Sequence, residues 1–475
     1  MFEWDSLFGF GFNLLYLFMV IGTIIVVVLD NRHPVKTIAW ILVLLFLPLV
    51  GLIFYFFFGQ NVRRKRLISK RIYNNIVRRP LHEYWRKPPA DFPKKGEALA
   101  NLFRRMNRSL PYGGNQVKFF TDGAGLLHAL LRAIADARHH IHLEYYIIED
   151  DAVGRMVRDS LIDKVKQGVK VRLLYDDVGC WRVAQRFFRE MIKAGVEVCP
   201  FLEVRFPIFS NKVNYRNHRK VVVIDGAIGF VGGMNLAERY VQGVSWGVWR
   251  DTSCMIHGTA VHGLQTVFMM DWFFVTRQEV DAEVYFPRLK PVGDSYVQIV
   301  TSKPVGRWRD IMQGYLWAIC NAKRYLYIQT PYFMPDEQIL TALQTAALSG
   351  VDVRIMLPRK SDSRVVQMCS LSFLRDLMEA GVKFYFYGKG FLHAKMMVMD
   401  DSLSTVGSAN IDFRSFEHNF EVNAFFYDTK SAIRLREAFE NDLLDSEFVS
   451  SKRWNQRPFW RKVEESILRM LAPLL

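Results

Sequence analysis

The run His218-Arg219-Lys220-Val221-Val222-Val223-Ile224-Asp225, followed by Gly232-Gly233-Met234-Asn235, decides how this chain is read. It returns as His393-Ala394-Lys395-Met396-Met397-Val398-Met399-Asp400 followed by Gly407-Ser408-Ala409-Asn410, with every spacing kept. Residues two apart on a strand share a face, so His and Lys project together while Arg219 or Ala394 turns away. Four apolar residues in a row suit a strand buried on both faces. Asp225 and Asp400 lie seven residues beyond their histidines, which is the opposite parity. Followed by Gly226 and by Asp401-Ser402, they read as turn residues that support the chemistry more than perform it. Asn235 and Asn410 end glycine-containing turns where backbone approaches a ligand closely and an amide donates to an anion.

The repetition extends outward. Gly168-Val169-Lys170-Val171-Arg172 recurs as Gly350-Val351-Asp352-Val353-Arg354, and Ala194-Gly195-Val196-Glu197-Val198 as Ala380-Gly381-Val382-Lys383-Phe384, in the same order. Three ordered matches imply two copies of one unit, over about residues 98–290 and 291–450. Within the first copy, an apolar-periodic run over 126–137, a buried strand over 141–148, a helix over 157–166 and a strand over 169–175 alternate. The expected class is α/β with a parallel or mixed sheet: two pseudo-symmetric α/β units forming one site.

Ahead of them, no residue from Ser6 to Leu29 or from Thr37 to Val62 is charged, and each stretch is long enough to span about 30 Å of hydrocarbon. Residues 1–62 are therefore expected to form a two-helix transmembrane hairpin, turned at Asp30–Lys36 and kinked at Pro48. Acidic Glu3 and Asp5 and the second span argue against a cleaved signal peptide. Between Gln60 and Lys95 stand twelve Lys or Arg against Glu83 and Asp91, most of the formal +16. Such a collar favours the cytoplasmic side and an anionic membrane surface. Residues 63–97, broken by Pro80, Pro88, Pro89 and Pro93, read as a basic membrane-proximal linker. A basic chain also fits nucleic acid, but charge beside a span favours lipid. Five cysteines without a C-x-x-C pair give neither a disulfide framework nor a zinc site. Residues 451–475 place apolar side chains at helical spacing beside Arg457, Arg461, Lys462 and Arg469; this amphipathic segment either lies in the bilayer interface or packs on the core.

The repeated motif resembles the signature of the phospholipase D superfamily, H-x-K-x4-D followed by G-x-x-N, which both copies match in full over about residues 98–450. The hairpin and basic stretch resemble the start of bacterial cardiolipin synthases, and Ile141–Tyr146 and Gln329–Phe333 resemble that family's paired strands. Gly233, where many relatives have Ser, is a departure expected to weaken one hydroxyl contact and little else.

The resemblance implies that both histidines face one phosphate, one forming a phosphohistidine and the other acting as acid and base. His218 is assigned the nucleophile and His393 the acid/base, an assignment the pseudo-symmetry leaves reversible. The implied catalytic set is His218, Lys220, Asp225, His393, Lys395 and Asp400, with Asn235 and Asn410 holding substrate. Family spacing puts histidine-orienting acids at Asp251 and Glu421. No cofactor or metal is expected; lysines and amides supply the electrostatic stabilisation. The remaining nine histidines are read as structural. The implied activity is phosphatidyl transfer between two phosphatidylglycerol molecules, giving cardiolipin and glycerol, in a multi-pass protein of the bacterial cytoplasmic membrane with its catalytic part in the cytoplasm. A hydrolytic phospholipase D shares every motif, a lipid-binding scaffold with a dead site would have lost some, and a nuclease is disfavoured by the spans. Headgroup, acyl-chain and oligomer preferences have no signature here.

Overall fold

The computed structural model describes residues 2–29, 34–55, 70–78, 81–82, 91–204 and 214–473. The residues up to 65 belong to one body and the catalytic part to another. In the first, Phe2–Leu29 is a single helix of 28 residues, with described side chains at Leu14 and from Tyr16 on. The second apolar stretch is two helices, Pro34–Phe46 and Pro48–Phe54. They are broken at Leu47, whose φ of −132° and ψ of 61° leave the helical region as the residue before a proline is pushed to do. Val27, Leu44 and Tyr55 are buried together. Among the described residues no helix is long and apolar enough to cross a membrane. The expected hairpin tip at 30–33 and the charges at 63–66 lie outside the described residues.

The second body is built on a mixed sheet. In chain order the first half supplies β1 (Pro111–Phe120), β2 (His140–Tyr145), β3 (Lys170–Asp176), β4 (Glu197–Phe201), β5 (Lys220–Ile224), β6 (Ile228–Gly232), β7 (Val248–Arg250) and β8 (Ser253–His257). The second half supplies β9 (Ser295–Ser302), β10 (Tyr325–Gln329), β11 (Phe333–Met334), β12 (Asp352–Pro358), β13 (Lys383–Tyr387), β14 (Gly390–Leu392), β15 (Met396–Met399), β16 (Leu403–Gly407), β17 (Ile411–Asp412), β18 (Glu421–Phe426) and β19 (Ser446–Phe448).

Outward from the junction the order is β1-β8-β6-β5-β2-β3-β4 on one side and β9-β18-β16-β15-β10-β12-β13 on the other, closed by β19. The two orders correspond strand for strand, the signature of a duplicated unit. Antiparallel pairing of β1 with β9, with Tyr112 opposite Val297, makes one 15-stranded sheet. The repeated glycines are explained by this plan: Gly168 and Gly350, at φ of 87° and 90°, turn the chain into β3 and β12. That left-handed conformation strains any residue with a Cβ.

β5 is buried throughout, and its apolar run Val221–Ile224 contributes about 1.5–3 kcal/mol per side chain. Helices Val261–Thr276 and Thr429–Leu443, one from each half, pack Leu264 and Leu435 into a core shared by both. The reading of 63–97 as a linker needs correction at Ile76 and Leu81, which pack with Phe268 and Trp272. From residue 94 the chain is already helical, and the helix Lys94–Asn107 goes on to bury Leu99 and Phe103 in the second-half core. Two apolar side chains inside a basic stretch thus belong to the folded body.

Candidate active site

The halves exchange backbone at two matching places. His218 N–H donates to the Phe420 carbonyl and Phe420 N–H to that of Arg216, while β14 runs parallel to β7, with Leu392 opposite Arg250. His393 N–H then donates to the Arg250 carbonyl at 2.7 Å. Each histidine is thus delivered at the end of a segment paired with the other half.

The crossing determines the acids. His218 Nδ1 is 3.1 Å from Glu421 Oε2, and His393 Nδ1 is 2.7 Å from Asp251 Oδ2. Both acids expected from family spacing are present, and each serves the histidine of the opposite half. Both carboxylates are fully buried, whereas the histidines keep slight exposure. With Nδ1–H held by a carboxylate, Nε2 carries the free lone pair and its direction is fixed.

Electrostatics keep the imidazoles neutral. Burial lowers His218, against the opposing pull of Glu421. Burial and then Lys395 push His393 down to about 4. Burial also lowers Lys220 to about 7 and Lys395 to about 8. For Asp251 burial opposes ionisation, but Lys395 and His393 outweigh it and hold the carboxyl low; His218 and Lys220 do the same for Glu421. Lys395 acts on His218 and Lys220 on His393, so the four side chains share one electrostatic environment. Neutral imidazoles beside lysines that titrate near neutrality suit an incoming anion, which favours the charged lysines and the protonated form of an imidazole beside it.

Lys220 Nζ donates to the His218 carbonyl at 2.6 Å and Lys395 Nζ to that of His393 at 2.5 Å. Lys220 also lies over the Tyr146 ring, which itself meets the His218 ring edge-on at 4.7 Å. Asn235 Oδ1 accepts from Ile147 N–H, and its amide donates to the Tyr240 hydroxyl at 2.5 Å. Among the described residues, Asn410 Oδ1 is buried and has no hydrogen-bond partner.

Asp225 and Asp400 lie elsewhere. At φ of 51° and 52° they turn β5 into β6 and β15 into β16. Asp225 accepts the N–H groups of Arg138, His139 and His140, and Asp400 those of Lys323, Arg324 and Tyr325. Their grouping with the catalytic residues is corrected accordingly: each carboxylate is committed to the backbone at the far end of a strand.

The Gly233 departure also has a different meaning. Ser408 donates its hydroxyl to Glu421 Oε2, whereas a Cβ on Gly233 would stand 2.1 Å from Asp251 Oδ1. Glycine is required there because the aspartate occupies the space a serine would fill.

Sequence reading missed the buried arginines that brace the acids. Arg219 Nε donates to the Glu421 carbonyl and pairs with Asp271; Arg250 Nη1 donates to the Asp251 carbonyl at 2.7 Å and pairs with Asp442. The available signal was the lone Asp271 in the apolar helix after the first motif; Asp442, in a helix rich in charge, gave none. The aromatic wall of Trp249, Tyr240 and Tyr332 around His393 had no comparable signal.

Comparison with known proteins agrees with this arrangement. A family model described as cardiolipin synthase, PLD-like domain, matches residues 130–272 and 315–443, and one described as phospholipase D-nuclease N-terminal matches residues 17–60. The chain is 42% identical to cardiolipin synthase 2 of Bacillus cereus, over 95% of this chain and 89% of that protein. It is 41% identical to the major cardiolipin synthase of Bacillus subtilis, over 98% of each. The crystal structure of phosphatidylserine synthase from Haemophilus influenzae Rd KW20 superposes with a TM-score of 0.60 at 14% identity, covering 79% of this chain and 99% of that one, a likeness of fold. A duplicated fold, a site assembled across its two halves and near full-length identity lead to one conclusion: the chain belongs to the cardiolipin synthase family of phospholipase D-like enzymes.

Proposed function

We propose that this protein is a cardiolipin synthase that moves a phosphatidyl group from one phosphatidylglycerol to another, without a cofactor. The observation that carries the reading is the crossed pair of carboxylate-held histidines. With His393 protonated at Nε2 as the phosphodiester charge enters, His218 Nε2 attacks phosphorus and the bond to the glycerol oxygen breaks, the His393 imidazolium giving that oxygen its proton and becoming neutral. After glycerol leaves, His393 takes the proton of a hydroxyl on a second phosphatidylglycerol, whose oxygen displaces His218 and forms cardiolipin. Lys220 and Lys395 offset the phosphate charge, and Asn235 and Asn410 line its site. The pseudo-two-fold site also accommodates the roles exchanged.

The same reading makes residues 1–62 a hairpin anchored in the bacterial cytoplasmic membrane, with the basic collar at 63–97 drawing the catalytic part to anionic lipid on the cytoplasmic side. Support comes from the two uncharged stretches. Detergent-purified protein incubated with phosphatidylglycerol is expected to release cardiolipin and glycerol in equal amounts. Free phosphatidic acid without cardiolipin would replace the transferase by a hydrolase.

A further inference from the structure

The C-terminal helix Phe459–Arg469 is packed inside out. On a surface helix the apolar stripe faces the core and the charges face water. Here the inward side carries Glu465, 3% exposed and paired with Arg457 at 2.6 Å, with Leu468 and Ala472 against the second-half core. The outward side leaves Phe459 70%, Trp460 77%, Ile467 53% and Met470 72% exposed. Positions 459, 463, 467 and 470 fall within one stripe of a 3.6-residue repeat, so these side chains form a continuous surface.

Charge around this stripe has one sign. Between residues 452 and 462 stand Lys452, Arg453, Arg457, Arg461 and Lys462 and no acid. Glu464 faces Arg364 and Glu465 is buried, while Lys452 and Arg453 carry no ion pair among the described residues. The helix also has a fixed heading. It lies along Arg364–Leu371, with Arg364 against Glu464 at one end, and Arg469 against the Ser372 carbonyl and the Phe373 ring at the other. Arg364–Leu371 starts just after Asp362, which accepts from Tyr332, and the Tyr332 ring is 6.3 Å from that of His393. Phe459 and Trp460 therefore stand at the end of the helix pair nearest the catalytic histidines.

We infer that this face docks on an anionic phospholipid surface, with Phe459 and Trp460 entering the interface beside the mouth of the active site and the basic residues meeting headgroup phosphates. Exposed aromatics beside a cationic excess, in which Arg457 and Arg461 share the buried Glu465 while Lys452 and Arg453 carry no ion pair among the described residues, match such an interface in both respects, apolar area and charge. A second copy of the chain would bring the same cations against themselves. The inference concerns a surface that contains none of the catalytic residues, and it draws on the proposed function only for one of its two measurements.

The full chain is reconstituted in vesicles of phosphatidylcholine and phosphatidylglycerol in about equal parts, with or without bromine on the acyl chains. The expected result is that bromolipid quenches a component of tryptophan emission present in the wild type and lost in W460F, and that the component shrinks in pure phosphatidylcholine. Equal quenching in the two proteins overturns the inference, whether or not the enzyme turns over. In the second measurement, F459S/W460S is expected to lose about tenfold in activity toward vesicular phosphatidylglycerol while keeping its rate on a monomeric short-chain analogue. Equal loss on both substrates, or a dimer that dissociates in the variant, also overturns it. W460F, being nearly isosteric, keeps the question answerable if the double variant fails to fold.

Discussion

The two halves of the site solve the same problem with different parts. His218 is held by a longer acid, Glu421, which is steadied by the Ser408 hydroxyl. His393 is held by a shorter acid, Asp251, which lies against the bare Cα of Gly233 and accepts from Thr252 N–H at 2.7 Å. Side-chain length and neighbour size changed together, so the carboxylate in each half still meets a histidine Nδ1. Duplication preserved the geometry at the ring nitrogen opposite the reacting one and left the supporting residues free to diverge. Such divergence gives two near-equivalent histidines unequal surroundings, which chemistry with two distinct roles can use.

The largest effect is expected from breaking the crossing. With the proposed roles, E421Q should act as a lesion of His218 and D251N as one of His393, each lowering turnover about a thousandfold. Quenching in alkaline detergent with phosphorus-labelled phosphatidylglycerol separates them: E421Q should trap no phosphoenzyme, and D251N should slow both the formation and the resolution of one that can still be trapped. The opposite pattern would exchange the roles of the histidines.

Next come the neighbours. G233A should cost about a hundredfold in kcat by displacing Asp251, whereas S408A should cost about tenfold, the loss of one hydrogen bond to a charged group. Equal effects would remove the distinction between the halves.

A smaller effect separates the lysines. Lys220 lies at about 7 and Lys395 at about 8, and a bound phosphodiester favours their charged forms. Raising the pH removes that charge, so KM for phosphatidylglycerol should rise several-fold from about pH 7 to 9, and K220R should flatten the lower part of the rise.

The smallest difference concerns stability. The position of buried His140 in the first half is taken in the second by Tyr325, since Asp225 and Asp400 accept their N–H groups equivalently. Burial pushes His140 down to about 4 from an ordinary 6.5. The unfolded chain therefore binds a proton that the folded one refuses, and stability falls as pH drops from 6.5 toward 4, by up to about 3 kcal/mol for this group. Hydrogen exchange should show the first half opening before the second in acid, and H140Q should narrow the gap.

Much of this was legible in the sequence, for identifiable reasons. Parity along a strand put His and Lys on one face and spoke against Asp225 and Asp400, yet the family motif kept both aspartates in the catalytic set, whereas their carboxylates hold backbone N–H groups at the far strand ends. Repeated glycines marked the turns because positive φ leaves few alternatives. The acids were found by spacing, but their exchange between halves was not legible, because the contacts span 203 and 142 residues and depend on how two sheets join. The meaning of Gly233 was hidden likewise, since an absent side chain is explained only by what fills its place. Ile76 and Leu81 were overlooked because surrounding charge outweighed two apolar residues whose partners, Phe268 and Trp272, come much later in the chain.

The antiparallel seam between β1 and β9 makes each half the custodian of the other's inheritance. A substitution that ruins Asp251 silences a histidine encoded far downstream, so neither copy can drift as a spare while its twin carries the work. A chain cut in the exposed stretch 290–294 would yield two fragments, each with a histidine lacking its acid and an open strand edge. Only by finding one another along that edge would they regain a complete site.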